Sequence, residues 1–334
     1  MLENSSVPEQ EDILRGSDGI LRLIDQLERV IKGKRAFLED LVTAWLAGGH
    51  VLLEDYPGLG KTTVAKALAA LVGNGGSSRG STSFRRIQFT PDLLPYDITG
   101  VEVFNPETKK FRFVPGPVFS QVVLADEINR AGPKVQSALL EVMAEHQVTV
   151  GGRSHSMDDL FFVIATQNPL EIEGTYLLPL AQMDRFLMRL SLGYPDMEAE
   201  MEILTDNPGE RELPLLKPVL GREDLLALRA VAAEIYCAPE LVESAARAAK
   251  LSREHPQIAL GISPRGVLHL IQAARSRALL RGRNYIIDQD LLDLAEKVWG
   301  HRLRRREAAR GRGLEARELV QEGLRLSSAV PVRG

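Results

Sequence analysis

The stretch VLLEDYPGLGKTTVAKALAALVG, residues 51–73, passes from an apolar segment through a glycine-containing turn into a helical pattern. The consensus of a phosphate-binding loop is a glycine, four residues of any kind, and then Gly-Lys-Ser/Thr. Gly60, Lys61 and Thr62 match the last three positions of this consensus. Asp55 stands where the first consensus glycine belongs. Because aspartate tolerates left-handed backbone angles, we expect Asp55 to make the same turn. The stretch therefore predicts a strand, a phosphate-binding loop and a helix.

In such a loop, the backbone N–H groups at the helix start surround the phosphates. Gly58 and Gly60 would allow close approach, Lys61 would neutralise phosphate charge, and Thr62 would place its hydroxyl on Mg²⁺. The alternative is a strand-to-helix turn whose glycines only relieve backbone strain, and the flanking strand and helix favour the phosphate loop. The predicted nucleotide-binding residues of the loop are Pro57, Gly58, Gly60, Lys61, Thr62 and Thr63.

The 334 residues are 44% hydrophobic and 26% charged, which is typical of a folded chain with room for two domains. A net charge of −4 provides no overall basic field for nucleic acid. The single cysteine, Cys237, cannot form an internal disulfide, which fits a reducing compartment. With no apolar segment of membrane-spanning length, we expect a cytoplasmic protein.

Apolar runs of strand length alternate with helical patterns in the first part of the chain. These runs are residues 50–54, 85–90, 121–127 and 161–169. The alternation predicts an α/β domain with a parallel sheet covered by helices on both faces. Beyond residue 195 only amphipathic helices follow. We therefore predict a polar leader over residues 1–16, an α/β core with two inserted hairpins over 17–194, and an all-helical domain with a C-terminal helix over 195–334.

Polar residues follow two of the predicted strands. Asp126 would hold Mg²⁺ through water, and Glu127 would polarise an attacking water. The alternative is that the pair only caps a helix N-terminus, which is common for such a pair. Asn168 could donate to a phosphate or orient the water, although Asn-Pro alone starts many turns. Arg185 and Arg265 could supply the positive charge of a phosphoryl-transfer site or could form ordinary surface ion pairs.

The order of these motifs resembles the AAA+ ATPases. Residues 88–119, 124–152 and 165–186 look like the MoxR family, whose relatives include the ATPase subunits of magnesium chelatase. The resemblance extends from about residue 20 to residue 302 and again over the final helix. It implies a P-loop AAA+ core followed by a small helical lid domain.

The resemblance also assigns residues. It makes Lys61 and Thr62 the Walker A pair, Asp126 and Glu127 the Walker B pair, and Asn168 sensor 1. Thr62 and Asp126 would be the Mg²⁺ ligands, and the substrate would be ATP.

Further positions match family residues outside these motifs. Arg185 matches the arginine presented to a neighbouring subunit's nucleotide, and Arg265 matches the sensor 2 arginine of the lid. Ile31 and Gly33 belong to the segment that relatives lay against adenine. Leu180 stands where the family usually has an acidic residue, which leaves the local ion pairing of Arg185 open.

Two segments, residues 98–116 and 146–157, have the alternation and turn residues of hairpins. They resemble family inserts that face the centre of a ring, and the alternative is two solvated surface hairpins. Charge without aromatic residues at the tips favours protein contact over base stacking. The charged tip residues are Glu107, Lys109, Lys110 and Arg153.

The resemblance implies a Mg²⁺-dependent ATP hydrolase that forms a homo-oligomeric ring, expected to be a hexamer. Its implied work is chaperone-like: remodelling, assembly, or metal or cofactor maturation of client protein complexes, with partners carrying von Willebrand factor A domains. The alternatives are a nucleic-acid motor or loader on the same fold, a small-molecule kinase and a nucleotide-bound scaffold. The basic run over residues 301–312 fits nucleic acid, an acidic partner or a solvated helix end.

Overall fold

The computed structural model of the protein describes residues 9–73, 83–168, 174–306 and 315–328. The strands in these ranges are β1 (Val51–Glu54), β2 (Phe84–Gln88), β3 (Gly100–Asn105), β4 (Lys110–Pro115), β5 (Val122–Asp126), β6 (Gln147–Val150), β7 (Arg153–Ser156), β8 (Phe162–Gln167), β9 (Met188–Leu190), β10 (Ile258–Leu260) and β11 (Arg304–Arg305). The helices are α1 (Gln10–Val30), α2 (Arg35–Leu46), α3 (Lys61–Ala70), α4 (Pro95–Thr99), α5 (Pro133–Glu145), α6 (Leu180–Met183), α7 (Met197–Asp206), α8 (Pro208–Arg211), α9 (Arg222–Ala233), α10 (Pro239–Glu254), α11 (Pro264–Leu280), α12 (Asp288–Trp299) and α13 (Ala316–Ser328). No helix in these ranges is both long enough and apolar enough to cross a membrane.

A five-stranded sheet in the order β2-β5-β8-β1-β9 forms the centre of the core, and every neighbouring pair is parallel. The four apolar runs form β1, β2, β5 and β8, so the predicted parallel sheet is confirmed. Sequence reasoning missed β9, because a strand of three residues is too short to show alternation.

Alternate residues of the strands enter two separate clusters of buried side chains. Leu53 and Ile164 belong to the cluster that includes residues of α1, α2 and α3. Leu52 and Val163 belong to the cluster that includes residues of α4 and α5. Because successive side chains of a strand point to opposite faces, the sheet is covered on both sides, as predicted.

Helix α1 begins earlier than the sequence predicted. It starts at Gln10, inside the segment assigned to a polar leader, and Ile13 is fully buried. Gly16 lies so close to the lid that a Cβ atom there would be 2.6 Å from the side chain of Leu228. The segment appears polar in sequence because only one face of the helix is covered. The leader prediction is therefore wrong for residues 10–16, and residues 1–8 lie outside the described part of the chain.

Both predicted hairpins are present. Strands β3 and β4 pair antiparallel, and so do β6 and β7, which are joined by Gly151 and Gly152 at positive φ. The tip of the first hairpin is charged, but Phe104 and Phe111 just below it are 49% and 65% exposed. Their ring centroids are 5.4 Å apart across the two strands. The tip is charged as predicted, and the two aromatic rings lie on the strands below it.

The lid follows α7 and α8 and consists mainly of α9 to α13. Helices α9 and α11 pack on α1 and α2 of the core, and a buried ion pair joins Arg277 of α11 to Asp40 of α2. The all-helical prediction is wrong at one place, because β10 and β11 form a small antiparallel sheet. These strands have three and two residues, which is too short for a sequence signal.

Candidate nucleotide site

The predicted loop lies at the carboxyl ends of the central strands. It leaves β1 after Glu54 and enters α3 at Lys61. Gly58 and Gly60 have φ values of 84° and 88°, and no atom lies within 4 Å of a Cβ built at either position. The glycines are therefore required by the backbone conformation rather than by crowding. Lys61 Nζ donates to the carbonyl oxygens of Asp55 and Tyr56, at 3.0 and 3.1 Å, which holds the ammonium over the loop.

The loop lines a cleft of about 260 Å³ together with the predicted Walker B and sensor 1 residues. We call it the P-loop cleft, and its lining residues are Pro57, Gly58, Leu59, Gly60, Lys61, Thr62, Arg86, Asp126, Glu127, Thr166 and Asn168. Eight residues predicted from sequence thus meet in one place. Thr63 does not line this cleft, and its side chain lies near Gly209 of α8.

Asp55 does not play the part that the sequence predicted. Its φ is not positive, so it does not replace the consensus glycine by adopting a left-handed turn. Its carboxylate is buried and accepts three hydrogen bonds from residues after β9. The donors are Ser191 Oγ at 2.7 Å, Leu192 N at 2.7 Å and Gly193 N at 3.1 Å. Asp55 therefore ties the start of the loop to the segment that leads into α7.

The predicted Walker B residues, Asp126 and Glu127, are fixed by polar neighbours. Asp126 Oδ1 accepts from Thr166 Oγ1 at 2.6 Å, and Oδ2 accepts from Arg86 at 2.6 and 3.0 Å. Glu127 has a φ of 57°, and its N–H donates to Thr166 Oγ1 at 2.8 Å. This left-handed conformation is costly for a residue other than glycine and is typical of functional sites. Gln88 Nε2 donates to Glu127 Oε2 at 2.9 Å, and Arg130 Nη1 donates to the same oxygen at 3.0 Å.

Sequence reasoning missed Arg86, Gln88 and Thr166. Arg86 and Gln88 belong to β2, which pairs directly with β5, and Thr166 belongs to β8 on the other side. Knowledge of the strand order would have predicted these residues at the site, because the carboxyl ends of adjacent parallel strands lie side by side.

The side chains of the P-loop cleft fit a magnesium ion. Thr62 and Asp126 offer a hydroxyl and a carboxylate, and Mg²⁺ prefers oxygen ligands. Arg86 already pairs with Asp126 Oδ2, so a cation at this carboxylate would compete with the guanidinium.

The predicted adenine segment packs against α7 and does not line the P-loop cleft. Ile31 is 8% exposed, and Gly33 has a φ of 66°. A Cβ at Gly33 would lie 2.8 Å from the Cβ of Ala199 in α7, so only glycine fits there. Tyr56 lies in the loop and Tyr194 lies just before α7, and their ring centroids are 5.8 Å apart. The assignment of Ile31 and Gly33 to adenine stays a prediction.

The two predicted arginines lie elsewhere. Arg185 and Arg265 line a second cleft of about 220 Å³, which we call the arginine cleft. Its other lining residues are Gly48, Gly49, His50, Met143, Ala144, His146, Leu187 and His269. His50 directly precedes β1 and Leu187 directly precedes β9, so this cleft lies at the amino ends of the strands. The P-loop cleft lies at the opposite end of the same sheet.

The ion pairing of the two arginines in this second cleft bears on what they can bind. Neither Arg185 nor Arg265 forms a side-chain ion pair with another described residue. Within the described ranges, no carboxylate therefore neutralises either guanidinium group.

Comparison with known proteins gives the same picture. Residues 50–188 match the model of the ATPase family associated with various cellular activities, and residues 250–322 match the AAA lid domain. The Chaperone MoxR1 of Mycobacterium tuberculosis is 42% identical over 316 residues, which cover 90% of this chain and 81% of that protein. This chain belongs to the MoxR family of AAA+ ATPases.

Other relatives agree with this family assignment. The Bacillus subtilis protein YeaC is 43% identical over 311 residues, covering 93% of this chain and 94% of its own. The crystal structure of a putative ATPase from Cytophaga hutchinsonii superposes with a TM-score of 0.83 at 34% identity, covering 94% of this chain and 96% of that one. The predicted AAA+ fold, with a parallel α/β core and a helical lid, is confirmed, and MoxR membership supports ATP hydrolysis.

Proposed function

We propose that this MoxR protein hydrolyses ATP with Mg²⁺ at sites shared between subunits of a homo-oligomeric ring, and uses the energy to remodel or assemble client proteins. One observation carries the shared site: the P-loop cleft and the arginine cleft lie at opposite ends of the same strands. The four residues of β1 alone span about 13 Å between them. A subunit's own Arg185 and Arg265 are therefore directed away from its own loop.

The P-loop cleft would bind ATP through the backbone N–H groups of the loop and the ammonium of Lys61. Glu127 would accept a hydrogen bond from the attacking water and take its proton as the water oxygen bonds to the γ-phosphorus. The bond from that phosphorus to the β–γ bridging oxygen breaks, which leaves ADP and phosphate. Asn168 would orient the water without adding negative charge. Mg²⁺, held by Thr62 and Asp126, would neutralise charge on the phosphate oxygens.

Arg185 and Arg265 would complete the site of the neighbouring subunit. Positive charge near the transferred phosphoryl group stabilises the transition state and is typically worth about 10³ to 10⁵ in kcat when it comes from an arginine of another molecule. A contact between the arginine cleft of one subunit and the P-loop cleft of the next is head-to-tail, and such contacts form rings when the rotation closes. A hexamer is the ring that the family resemblance implies.

The proposed clients are proteins. A relative at 42% identity is named a chaperone, and the exposed pair Phe104 and Phe111 gives the first hairpin an apolar surface of the kind that contacts proteins. The family resemblance adds partners with von Willebrand factor A domains and metal or cofactor maturation as one kind of task. Because the proposed work consumes ATP, we place it in the cytoplasm.

The test of the shared site is ATP turnover per subunit across a dilution series, with particle mass measured on the same samples. Specific activity should rise as the oligomer forms. In a second arm, Arg185→Ala subunits, which keep their loop, are mixed with Lys61→Ala subunits, which keep their arginines. Recovery of activity in the mixture supports the shared site, whereas a monomer with constant activity and no recovery at any ratio refutes it.

A further inference from the structure

Arg302 belongs to the basic run at residues 301–312, but it is not a solvated residue. Its side chain is only 3% exposed, so the interpretation of this run as a solvated helix end is wrong at this position. Arg304 and Arg305 are exposed in β11, and Arg310 and Arg312 lie outside the described residues. A fully charged group buried in this way needs partners, because burying an unpaired charge is very costly.

The partners of Arg302 lie around Arg185. Arg302 Nε donates to Asp184 Oδ1 at 2.7 Å, and its terminal nitrogens donate to the carbonyl oxygens of Phe186 at 2.6 Å and Leu187 at 3.2 Å. Asp184 precedes Arg185 in the chain and the two carbonyl groups follow it. One guanidinium therefore fixes the backbone on both sides of Arg185.

The same guanidinium also reaches the helix that carries Arg265. Arg302 Nη2 lies 2.6 Å from His269 Nδ1, and His269 is one helical turn after Arg265 on α11. Because an arginine can only donate, Nδ1 must accept, and the proton of the neutral ring lies on Nε2. Burial, with Arg302 and Arg265 nearby, lowers the pKa of His269 to about 3, which keeps the ring neutral at pH 7.

We propose that Arg302 is a positioning residue that holds Arg185 of the core and Arg265 of the lid in one fixed arrangement, so that both face the same arginine cleft. This inference rests on the proposed shared site. Arg302 does not line the cleft, and it acts through the loop at residues 184–187 and through α11. Lysine cannot replace it, because one ammonium lacks the planar fork that bonds the Asp184 carboxylate, four backbone carbonyl groups and two imidazoles together.

The test uses full-length Arg302→Lys, with the exposed Arg304→Lys as the matched control. A displacement of about 1 Å in a catalytic arrangement can cost on the order of 100-fold in rate. Arg302→Lys should therefore lose on the order of 100-fold in kcat while its Kd for ATP stays within about twofold. Arg304→Lys should match the parent. Two further variants, His269→Phe and Asp184→Ala, each cut one end of the link and provide the same measurement if Arg302→Lys does not fold.

Mixing separates a positioning role from a general structural one. Arg302→Lys subunits keep their own loop, so Lys61→Ala subunits should restore their turnover by supplying correctly placed arginines. Unchanged kcat in a folded variant overturns the inference. Joint loss of ATP affinity and turnover without recovery also overturns it, provided that the Arg185→Ala mixture recovers. If the Arg185→Ala mixture fails as well, the shared site itself is refuted and this inference falls with it.

Discussion

Replacing Asp55 by the consensus glycine should weaken the protein rather than improve its loop. The substitution removes the acceptor for the N–H groups of Leu192 and Gly193 and for the hydroxyl of Ser191. A buried donor left without a partner costs about 1–3 kcal/mol, which applies fully to Leu192, and the two part-buried donors add about 0.5–1 kcal/mol each. A new glycine also increases the entropy of the unfolded chain. We therefore expect Asp55→Gly to lower the free energy of unfolding by about 2–5 kcal/mol.

The assay is urea unfolding followed by far-UV circular dichroism at one fixed protein concentration, because assembly would itself add stability. Ser191→Ala is the matched control: it removes one of the three bonds and should cost about 1 kcal/mol. Asp55→Asn keeps an acceptor oxygen, so its loss of unfolding free energy should lie between those of Ser191→Ala and Asp55→Gly. An Asp55→Gly protein within about 0.5 kcal/mol of the parent would show that the carboxylate does not hold the segment after β9.

Three other outcomes follow from the site and its surroundings. Lys61→Ala should abolish ATP binding in calorimetry, whereas Glu127→Gln should bind ATP and release little phosphate; equal loss of binding would contradict their separate roles. Arg86→Gln frees Asp126 Oδ2, so half-maximal ATPase activity should need a lower Mg²⁺ concentration. A higher Mg²⁺ concentration at half-maximal activity would show that Arg86 does not compete with Mg²⁺ for Asp126. Burial lowers the pKa of His50 to about 3, so the unfolded chain binds the proton first and stability falls as the pH drops below about 6.5. Between pH 6.5 and 5 the contribution of His50 to this loss is about 1.6 kcal/mol, so the stability of His50→Gln in urea titrations should fall by about that much less than the parent's.

The sequence predicted the P-loop cleft well because its residues lie at strand ends. A short apolar run followed by Asp126 or Asn168 indicates a buried strand and a polar residue at its carboxyl end. In a parallel sheet those ends meet, so no knowledge of side-chain contacts was needed to bring them together. The loop is similar, since its glycines and lysine are adjacent in the chain.

The rest could not be read from local pattern, because it depends on contacts between distant segments. Asp55 bonds residues more than 130 positions away, so its sequence neighbours gave only the wrong left-handed interpretation. Arg302 looked like one of several basic residues, and only the packing of the lid against the core shows that it is buried. The start of α1 was missed for the same reason, because the lid packs on one face of its first turns.

Strand β9 links these two unforeseen contacts. Asp55 holds the residues that follow β9, and Arg302 holds the residues that precede it. The strand has only three residues, so about 10 Å of extended backbone separates the segment fixed by the nucleotide loop from the segment that carries Arg185. Paired to β1 along its whole length, β9 cannot shift at one end without disturbing the other. A movement of the P-loop would therefore be transmitted through β9 to the arginine cleft, so that the two clefts of one subunit, which belong to two neighbouring shared sites in the proposed ring, would be coupled.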